Sequence, residues 1–144
     1  MERVYTYDGN RNLIDVHSPN ILWYNQDFTY DTLNRLTSKE GRYGAINYIY
    51  DNVGNRLTRT VNGETENYAY IPGSNKLDQI SGANPTSFAY DANGNTTALG
   101  SKTLIYNQNN RLIRSEENGN ILGEYTYNGL GQRVIKTVGD GDKG

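Results

Sequence analysis

Hydrophobic and polar positions alternate along this chain of 144 residues in short bursts, and the bursts share one form. An aromatic or leucine residue stands two positions before a tyrosine, and an acid or amide usually follows. The form occurs at Tyr5-Thr6-Tyr7-Asp8, Phe28-Thr29-Tyr30-Asp31, Tyr48-Ile49-Tyr50-Asp51, Tyr68-Ala69-Tyr70-Ile71, Phe88-Ala89-Tyr90-Asp91, Leu104-Ile105-Tyr106-Asn107 and Tyr125-Thr126-Tyr127-Asn128. The second tyrosines lie 23, 20, 20, 20, 16 and 21 residues apart. Residues two apart share one face of a β-strand, so each burst predicts a strand with an aromatic face.

The stretch after each anchor repeats too. Asp51-Asn52-Val53-Gly54-Asn55-Arg56-Leu57 and Asn128-Gly129-Leu130-Gly131-Gln132-Arg133-Val134 share one form. Asp31-Thr32-Leu33-Asn34-Arg35-Leu36 and Asn107-Gln108-Asn109-Asn110-Arg111-Leu112 read as a form one residue shorter. Unit four replaces the acid with Ile71 but keeps Lys76-Leu77, and unit five keeps Asp91-Ala92-Asn93-Gly94-Asn95 before ending in Thr96-Thr97. Asp or Asn bonds the backbone two residues on, while Gly or Asn tolerates positive φ, which is turn chemistry. A second strand then starts, as at Arg56-Leu57-Thr58-Arg59-Thr60-Val61. Asn62-Gly63, Gly82-Ala83-Asn84-Pro85, Gly100-Ser101 and Asn118-Gly119-Asn120 end these strands as hairpin loops.

The pattern therefore predicts seven tandem β-hairpins over residues 1–138, followed by a Gly/Asp tail over 139–144. No window carries a helical stripe. The fold class is all-β: up to fourteen short antiparallel strands, on the order of 65 Å of sheet, which must curve rather than stay flat. The tyrosines are expected to form its buried or half-buried face, with each cross-strand pair adding roughly 0.2–1 kcal/mol.

Composition sharpens this picture. Leu, Ile, Val and Phe make up only 29 residues, and Tyr outnumbers Phe 13 to 2, so tyrosine must supply the missing apolar area. Net charge is −2, which excludes a disordered polyion, a basic nucleic-acid stripe and a polybasic membrane patch. Apolar runs such as Ile21-Leu22-Trp23-Tyr24 fall far short of the roughly 20 residues of a membrane span. The absence of cysteine excludes disulfides, zinc thiolates and a thiol nucleophile. Met1-Glu2-Arg3-Val4-Tyr5 lacks a signal's apolar segment, so any export signal is expected outside these residues.

The tandem Tyr-Asp units resemble the YD repeats of the RHS family, most closely at Tyr50-Asp51-Asn52-Val53-Gly54-Asn55-Arg56-Leu57 and Tyr30-Asp31-Thr32-Leu33-Asn34-Arg35-Leu36. That family includes bacterial RHS polymorphic toxins, wall-associated proteins, C components of insecticidal toxin complexes, and teneurins. The resemblance implies a sheet spiralling into a hollow shell, a secreted or cell-surface setting, and a non-enzymatic wall. Family shells run to many hundreds of residues, so the chain is expected to be a piece of one or a reduced relative. No segment resembles the family's self-cleaving aspartate core, and no toxin domain is expected in Asp140-Gly141-Asp142-Lys143-Gly144.

Candidate chemistry is sparse. The single histidine, His17, reads as a strand-end residue before Ser18-Pro19. Asp8, Asp31, Asp51 and Asp91 invite a paired-carboxylate glycosidase reading, but they recur at one turn position where Asn also stands, and Asn performs no acid-base chemistry. No catalytic residue, cofactor or metal is assigned; the calcium-like start at Asp140 lacks the later ligands, and Asn95-Thr96-Thr97 is a chance acceptor motif. The structural anchors are Tyr7, Asp8, Tyr30, Asp31, Tyr50, Asp51, Gly54, Tyr70, Tyr90, Asp91, Gly94, Tyr106, Tyr127 and Gly131. A second ladder, Arg35, Arg56, Lys76, Arg111 and Arg133, is expected to pair with turn acids or cover rings; alternatively it grips a glycan or cell-surface partner. The expected partners are other YD repeats of the same or another chain, with edge pairing between copies; no nucleic acid and no membrane span is expected.

Overall fold

A computed structural model describes residues 2–20 and 25–139. Of the candidate tail 139–144 only Gly139 is described, its N–H donating to Leu122 O at 3.3 Å; residues 140–144 and the apolar run Ile21–Tyr24 lie outside the described residues. Fourteen strands are present: β1 (Val4–Tyr7), β2 (Leu13–His17), β3 (Gln26–Tyr30), β4 (Leu36–Gly41), β5 (Ile46–Tyr50), β6 (Arg56–Val61), β7 (Glu64–Tyr70), β8 (Leu77–Gly82), β9 (Thr86–Tyr90), β10 (Thr96–Leu99), β11 (Lys102–Tyr106), β12 (Leu112–Glu117), β13 (Asn120–Tyr127) and β14 (Arg133–Val138). No helix occurs among the described residues.

The chain divides into two compact units, Met1–Asn75 with Ile80–Asn84, and Lys76–Gln79 with Pro85–Gly144. In the first, β1 to β7 pair antiparallel in chain order; in the second, β9 to β14 do the same. Consecutive antiparallel strands need only tight loops, and the recurring turn residues supply them.

Two registers alternate. Within a hairpin the second anchor tyrosine faces the sixth residue after it, as in Tyr7↔Leu13, Tyr30↔Leu36, Tyr50↔Arg56, Tyr106↔Leu112 and Tyr127↔Arg133, with a bulge just before each tyrosine. Between hairpins the ladder is often brief: β2–β3 pairs only Asp15↔Asp27 and Val16↔Gln26, and β4–β5 only Ser38↔Asn47 and Lys39↔Ile46. Adjacent hairpins thus separate toward the tyrosine end, where backbone groups need partners other than a ladder.

No closed hydrophobic core forms within the described residues. Tyr68, 8% exposed, is the one buried large hydrophobic, and Phe28, Tyr30, Tyr48, Tyr50, Tyr70, Phe88, Tyr90, Tyr106, Tyr125 and Tyr127 are half-buried. Tyr5 and Tyr7 are exposed at 49% and 57%. The anchor strands β3, β5 and β9 and the end of β13 show the alternation of a sheet covered on one side only, half-buried aromatics interleaved with exposed Thr29, Ile49, Ala89 and Thr126.

Candidate functional site: the turn edge and the aromatic face

At one end of each hairpin sits a shared turn. In unit three the Asp51 N–H donates to Asn55 O (2.9 Å) and the Gly54 N–H to Asp51 O (3.3 Å). The Asp51 carboxylate accepts the Val53 and Asn55 N–H groups at 3.0 and 2.8 Å, and its second oxygen takes the Asn55 side-chain amide at 2.9 Å. Asp8, Asp31 and Asp91 repeat both backbone contacts, and Asn107 and Asn128 repeat them with an amide oxygen. The third residue after the acid is always left-handed: Arg11, Asn34, Gly54, Gly94, Asn110 and Gly131 have φ of 69, 60, 99, 88, 56 and 84°. This is a type I turn closed by a left-handed residue, a hairpin loop of known preference.

Asparagine at that position adds something glycine cannot. Asn34 Oδ1 accepts the amides of Asn10 (3.0 Å) and Asn12 (2.8 Å) from the preceding turn, and Asn110 Oδ1 accepts those of Asn93 and Asn95, both at 2.9 Å. Successive turns are thereby joined along the edge.

The turn geometry corrects the reading of two loop lengths. The loops of units two and six are not shorter; Arg35 and Arg111 stand four residues after the turn Asx, where Asn55 stands in unit three, whereas Arg56 and Arg133 stand one place further on, inside the strand. The basic ladder therefore has two phases. Turn-phase cations reach forward: Arg35 lies over the Tyr50 ring at 4.8 Å, Arg111 over Tyr127 at 5.7 Å and Lys76 over Tyr90 at 5.3 Å. Strand-phase cations cover first anchors: Arg56 lies over Tyr48 (5.7 Å) and Tyr68 (4.2 Å), and Arg133 over Tyr125 (5.6 Å). Arg35 also pairs with Asp31 at 2.6 Å and donates to Asp51 O at 2.7 Å.

Unit four, lacking the acid, turns by another device that the acid-based pattern missed. Ile71-Pro72-Gly73-Ser74 closes with Ser74 N–H donating to Ile71 O at 3.0 Å, and Gly73 has φ of 75°. Proline presets the first central residue and glycine takes the positive φ, as a type II turn requires. The Pro-Gly pair was the available signal.

The tyrosine hydroxyls have a defined task. Tyr30 donates to Leu13 O (2.9 Å), Tyr50 to Leu36 O (2.9 Å), Tyr70 to Arg56 O (2.9 Å), Tyr90 to Leu77 O (2.8 Å) and Tyr127 to Leu112 O (2.8 Å). Each acceptor is the carbonyl at the start of the preceding hairpin's second strand, where adjacent hairpins have separated. Phenylalanine or leucine occurs only at first anchors, Phe28, Phe88 and Leu104, where no such bond is made. Tyr106, in the short sixteen-residue unit, makes none to a described residue.

The most enclosed charged group is Glu66, 7% exposed. It accepts the Tyr68 hydroxyl (2.7 Å), the Asn84 amide (2.8 Å) and Arg59 (3.2 Å). The Tyr68 and Asn84 bonds, with Arg59 beside them, hold the Glu66 carboxyl below its ordinary pKa against the effect of burial. Burial and the bond to Glu66 push the Tyr68 hydroxyl up. Sequence reading did not single out this cluster, since Glu66 and Asn84 belong to no repeat position that stands out.

The turn acids are likewise held low: Asp8 chiefly by the Asn12 side chain, Asp31 by the Arg35 N–H, and Asp91 by the Asn95 side chain. At Asp51 desolvation pulls upward, and the bonds from Asn55, Val53 and Gly54 outweigh it. All four turn acids are displaced in the same direction, each by the hydrogen bonds of its own turn. His17 closes β2 opposite Val4, and Ser18 is buried with its N–H donating to Asn25 Oδ1 (3.0 Å) and its hydroxyl to Glu2 O (3.3 Å). Among the described residues no group of acids and histidines could hold a metal ion, and no helix is long and apolar enough to cross a membrane.

Comparison with known proteins agrees with this architecture. The chain is 31% identical over 112 residues to the tRNA nuclease WapA of Bacillus subtilis (strain 168) and, to the same extent, to the tRNA3(Ser)-specific nuclease WapA of Bacillus spizizenii. These matches cover 76% of the chain but only 5% of each relative. Among solved structures, the TcdB2-TccC3-Cdc42 crystal structure matches 88% of the chain and 8% of its own, with a TM-score of 0.66 at 16% identity. A Tc holotoxin pore structure from Photorhabdus luminescens matches 93% of the chain and 10% of its own, with a TM-score of 0.60 at 15% identity; at these identities the likeness concerns the fold. The teneurin YD-shell family model matches residues 1–143, and the chain belongs to that family.

Proposed function

We propose that this chain is a stretch of non-catalytic shell wall, belonging to a larger toxin-like protein that works outside the cell. The observation that carries the reading is the tyrosine hydroxyl bond, repeated between hairpins at five places. It joins unit to unit through the tyrosines that the repeat places at every second anchor. The turn acids are spent on backbone N–H groups, and the ladder cations lie on the rings. A surface for sugars would need open ring faces, so these cations argue against the glycan reading.

On this reading the nuclease activity in the names of the Bacillus relatives lies outside the matched segment, which is 5% of each. The wall's partners are further repeats of its own kind, before or after it in one chain or supplied by another.

The test is direct. The purified chain is incubated with tRNA and with a panel of glycosides, and titrated calorimetrically against a glycan set. No turnover and no saturable heat are expected. Cleavage of tRNA, sugar hydrolysis abolished by Asp51→Asn, or a saturable glycan isotherm would overturn the reading.

A further inference from the structure

The five junctions between hairpins with a defined ladder obey one register rule. The residue seven places after the turn Asx faces the residue four places before the next one, and the eighth faces the fifth before: Asp15↔Asp27 and Val16↔Gln26, Ser38↔Asn47 and Lys39↔Ile46, Thr58↔Asn67 and Arg59↔Glu66, Ala98↔Thr103 and Leu99↔Lys102, Arg114↔Glu124 and Ser115↔Gly123. The rule assigns, at any open edge of this kind, which residue of an incoming strand meets which residue of the edge.

β14 is such an edge. Its inner side pairs with β13, no described strand pairs its outer side, and all six residues are exposed. Its sequence, Arg133-Val134-Ile135-Lys136-Thr137-Val138, nearly duplicates β6, Arg56-Leu57-Thr58-Arg59-Thr60-Val61: arginine, aliphatic, β-branched, cation, threonine, valine. β6 has a partner, β7, held by three side-chain contacts beyond the ladder. Tyr70 donates to Arg56 O at 2.9 Å, Arg59 pairs with Glu66 at 3.2 Å, and the Thr60 and Thr65 hydroxyls meet at 2.9 Å. At the corresponding places β14 offers the Arg133 carbonyl, the Lys136 ammonium, which forms no ion pair among the described residues, and the Thr137 hydroxyl.

Resting on the repeat-wall reading, we infer that the outer edge of β14 is a docking site for one extended strand of the form Thr-Glu-x-aromatic-x-Tyr. Its glutamate sits opposite Lys136, its threonine opposite Thr137, and its tyrosine hydroxyl reaches the Arg133 carbonyl. The charge disfavours the simplest alternative, head-to-tail joining to β1 of a second copy. There the register rule places Arg3 opposite Lys136, and like charges directly opposite are destabilising, although one like-charge pair, Asp15 opposite Asp27, is carried at the β2–β3 junction. Head-to-tail pairing of identical copies is therefore disfavoured at this edge, and a strand resembling β7 is favoured.

The experiment uses the whole chain, labelled with nitrogen-15, and a capped synthetic peptide of residues 64–71, Glu-Thr-Glu-Asn-Tyr-Ala-Tyr-Ile. Titration is expected to give saturable amide shifts concentrated in Arg133–Val138. The same peptide with Glu66→Lys is expected to bind at least about tenfold more weakly, the size of a lost charge pair. The Lys136→Glu chain should reverse that order and prefer the lysine peptide. A capped peptide of residues 1–8, which carries Arg3 in the facing place, should bind the unmodified chain no better than the lysine peptide.

Shifts centred on β6 instead, equal affinity for all peptides, or no reversal with Lys136→Glu would each overturn the inference. Equal binding of all repeat peptides at β14 would leave the wall reading standing while removing the charge selection. Absence of binding by every peptide would remove the docking site. The wall reading itself falls only to the turnover and glycan assays.

Discussion

Replacing Tyr50 by phenylalanine isolates one hydroxyl and nothing else. The ring stays, with Arg35 over it at 4.8 Å, while the 2.9 Å bond to Leu36 O is lost. A hydrogen bond is worth about 0.5–1.5 kcal/mol net, and an orphaned acceptor costs more when water cannot reach it. Tyr50 and Leu36 are half-buried, so water partly replaces the hydroxyl and the expected loss is about 1 kcal/mol. For a chain of this length that corresponds to a fall in melting temperature of about 3 °C. Urea unfolding followed by circular dichroism measures the first quantity and a thermal scan the second. Because repeat arrays open locally, hydrogen exchange should show the lost protection concentrated at the junction of β4 with β5. Tyr125→Phe is the control, since the Tyr125 hydroxyl makes no hydrogen bond to another described residue; it should change stability by less than about 0.5 kcal/mol. Tyr30→Phe combined with Tyr50→Phe touches two separate junctions, and the losses should add. If Tyr50→Phe is neutral, or Tyr125→Phe costs as much, the hydroxyls do not join the repeats.

Other expectations follow from the turns and the buried acid. Gly54→Ala places a Cβ at φ 99° and should cost about 1 kcal/mol or more, whereas Gly54→Asn should cost less because Asn34 and Asn110 already occupy that position; urea midpoints rank the two. Glu66→Ala leaves Tyr68, Asn84 and Arg59 without their shared acceptor and should lose about 2 kcal/mol, with Glu66→Gln milder, by the same unfolding assay. Asp8, Asp31, Asp51, Asp91 and Glu66 all have folded pKa values below their ordinary ones, so the unfolded chain binds more protons in that window. Their stabilisation is fully present above the ordinary carboxylate range and is lost as pH falls through the depressed values. A stability profile between pH 2 and 7 should show that acid limb, and Asp91→Asn should flatten part of it while keeping the turn, as Asn107 and Asn128 do.

Much of this was legible from spacing. Period-two aromatics and the Asx-x-x-Gly or Asn turn place strands and loops because both are local: side-chain alternation and a left-handed residue are consequences of nearby backbone geometry. What spacing could not resolve was register. Arg35 and Arg56 look equivalent in sequence, each preceding a leucine, yet one belongs to the turn and the other to the strand. The distinction emerges only once Tyr30 faces Leu36 and Tyr50 faces Arg56 across a bulge. The reason for tyrosine over phenylalanine also stayed hidden, because its acceptor is a main-chain atom of the previous unit. Glu66 was invisible for a similar cause: its partners, Arg59, Tyr68 and Asn84, are assembled by pairing between strands and carry no motif of their own.

The identity of that acceptor has a consequence for how such a wall can change. Leu13, Leu36, Arg56, Leu77 and Leu112 present the same carbonyl whatever side chain they carry, so the joint makes no demand on the residue that receives it. Duplicating or deleting a whole unit brings a new neighbour to every tyrosine at the break, and that neighbour already holds a matching oxygen. A wall joined through its main chain is modular at that joint: the hydroxyl bond lets length drift by one hairpin at a time, and only the facing side chains at the new junction set a condition.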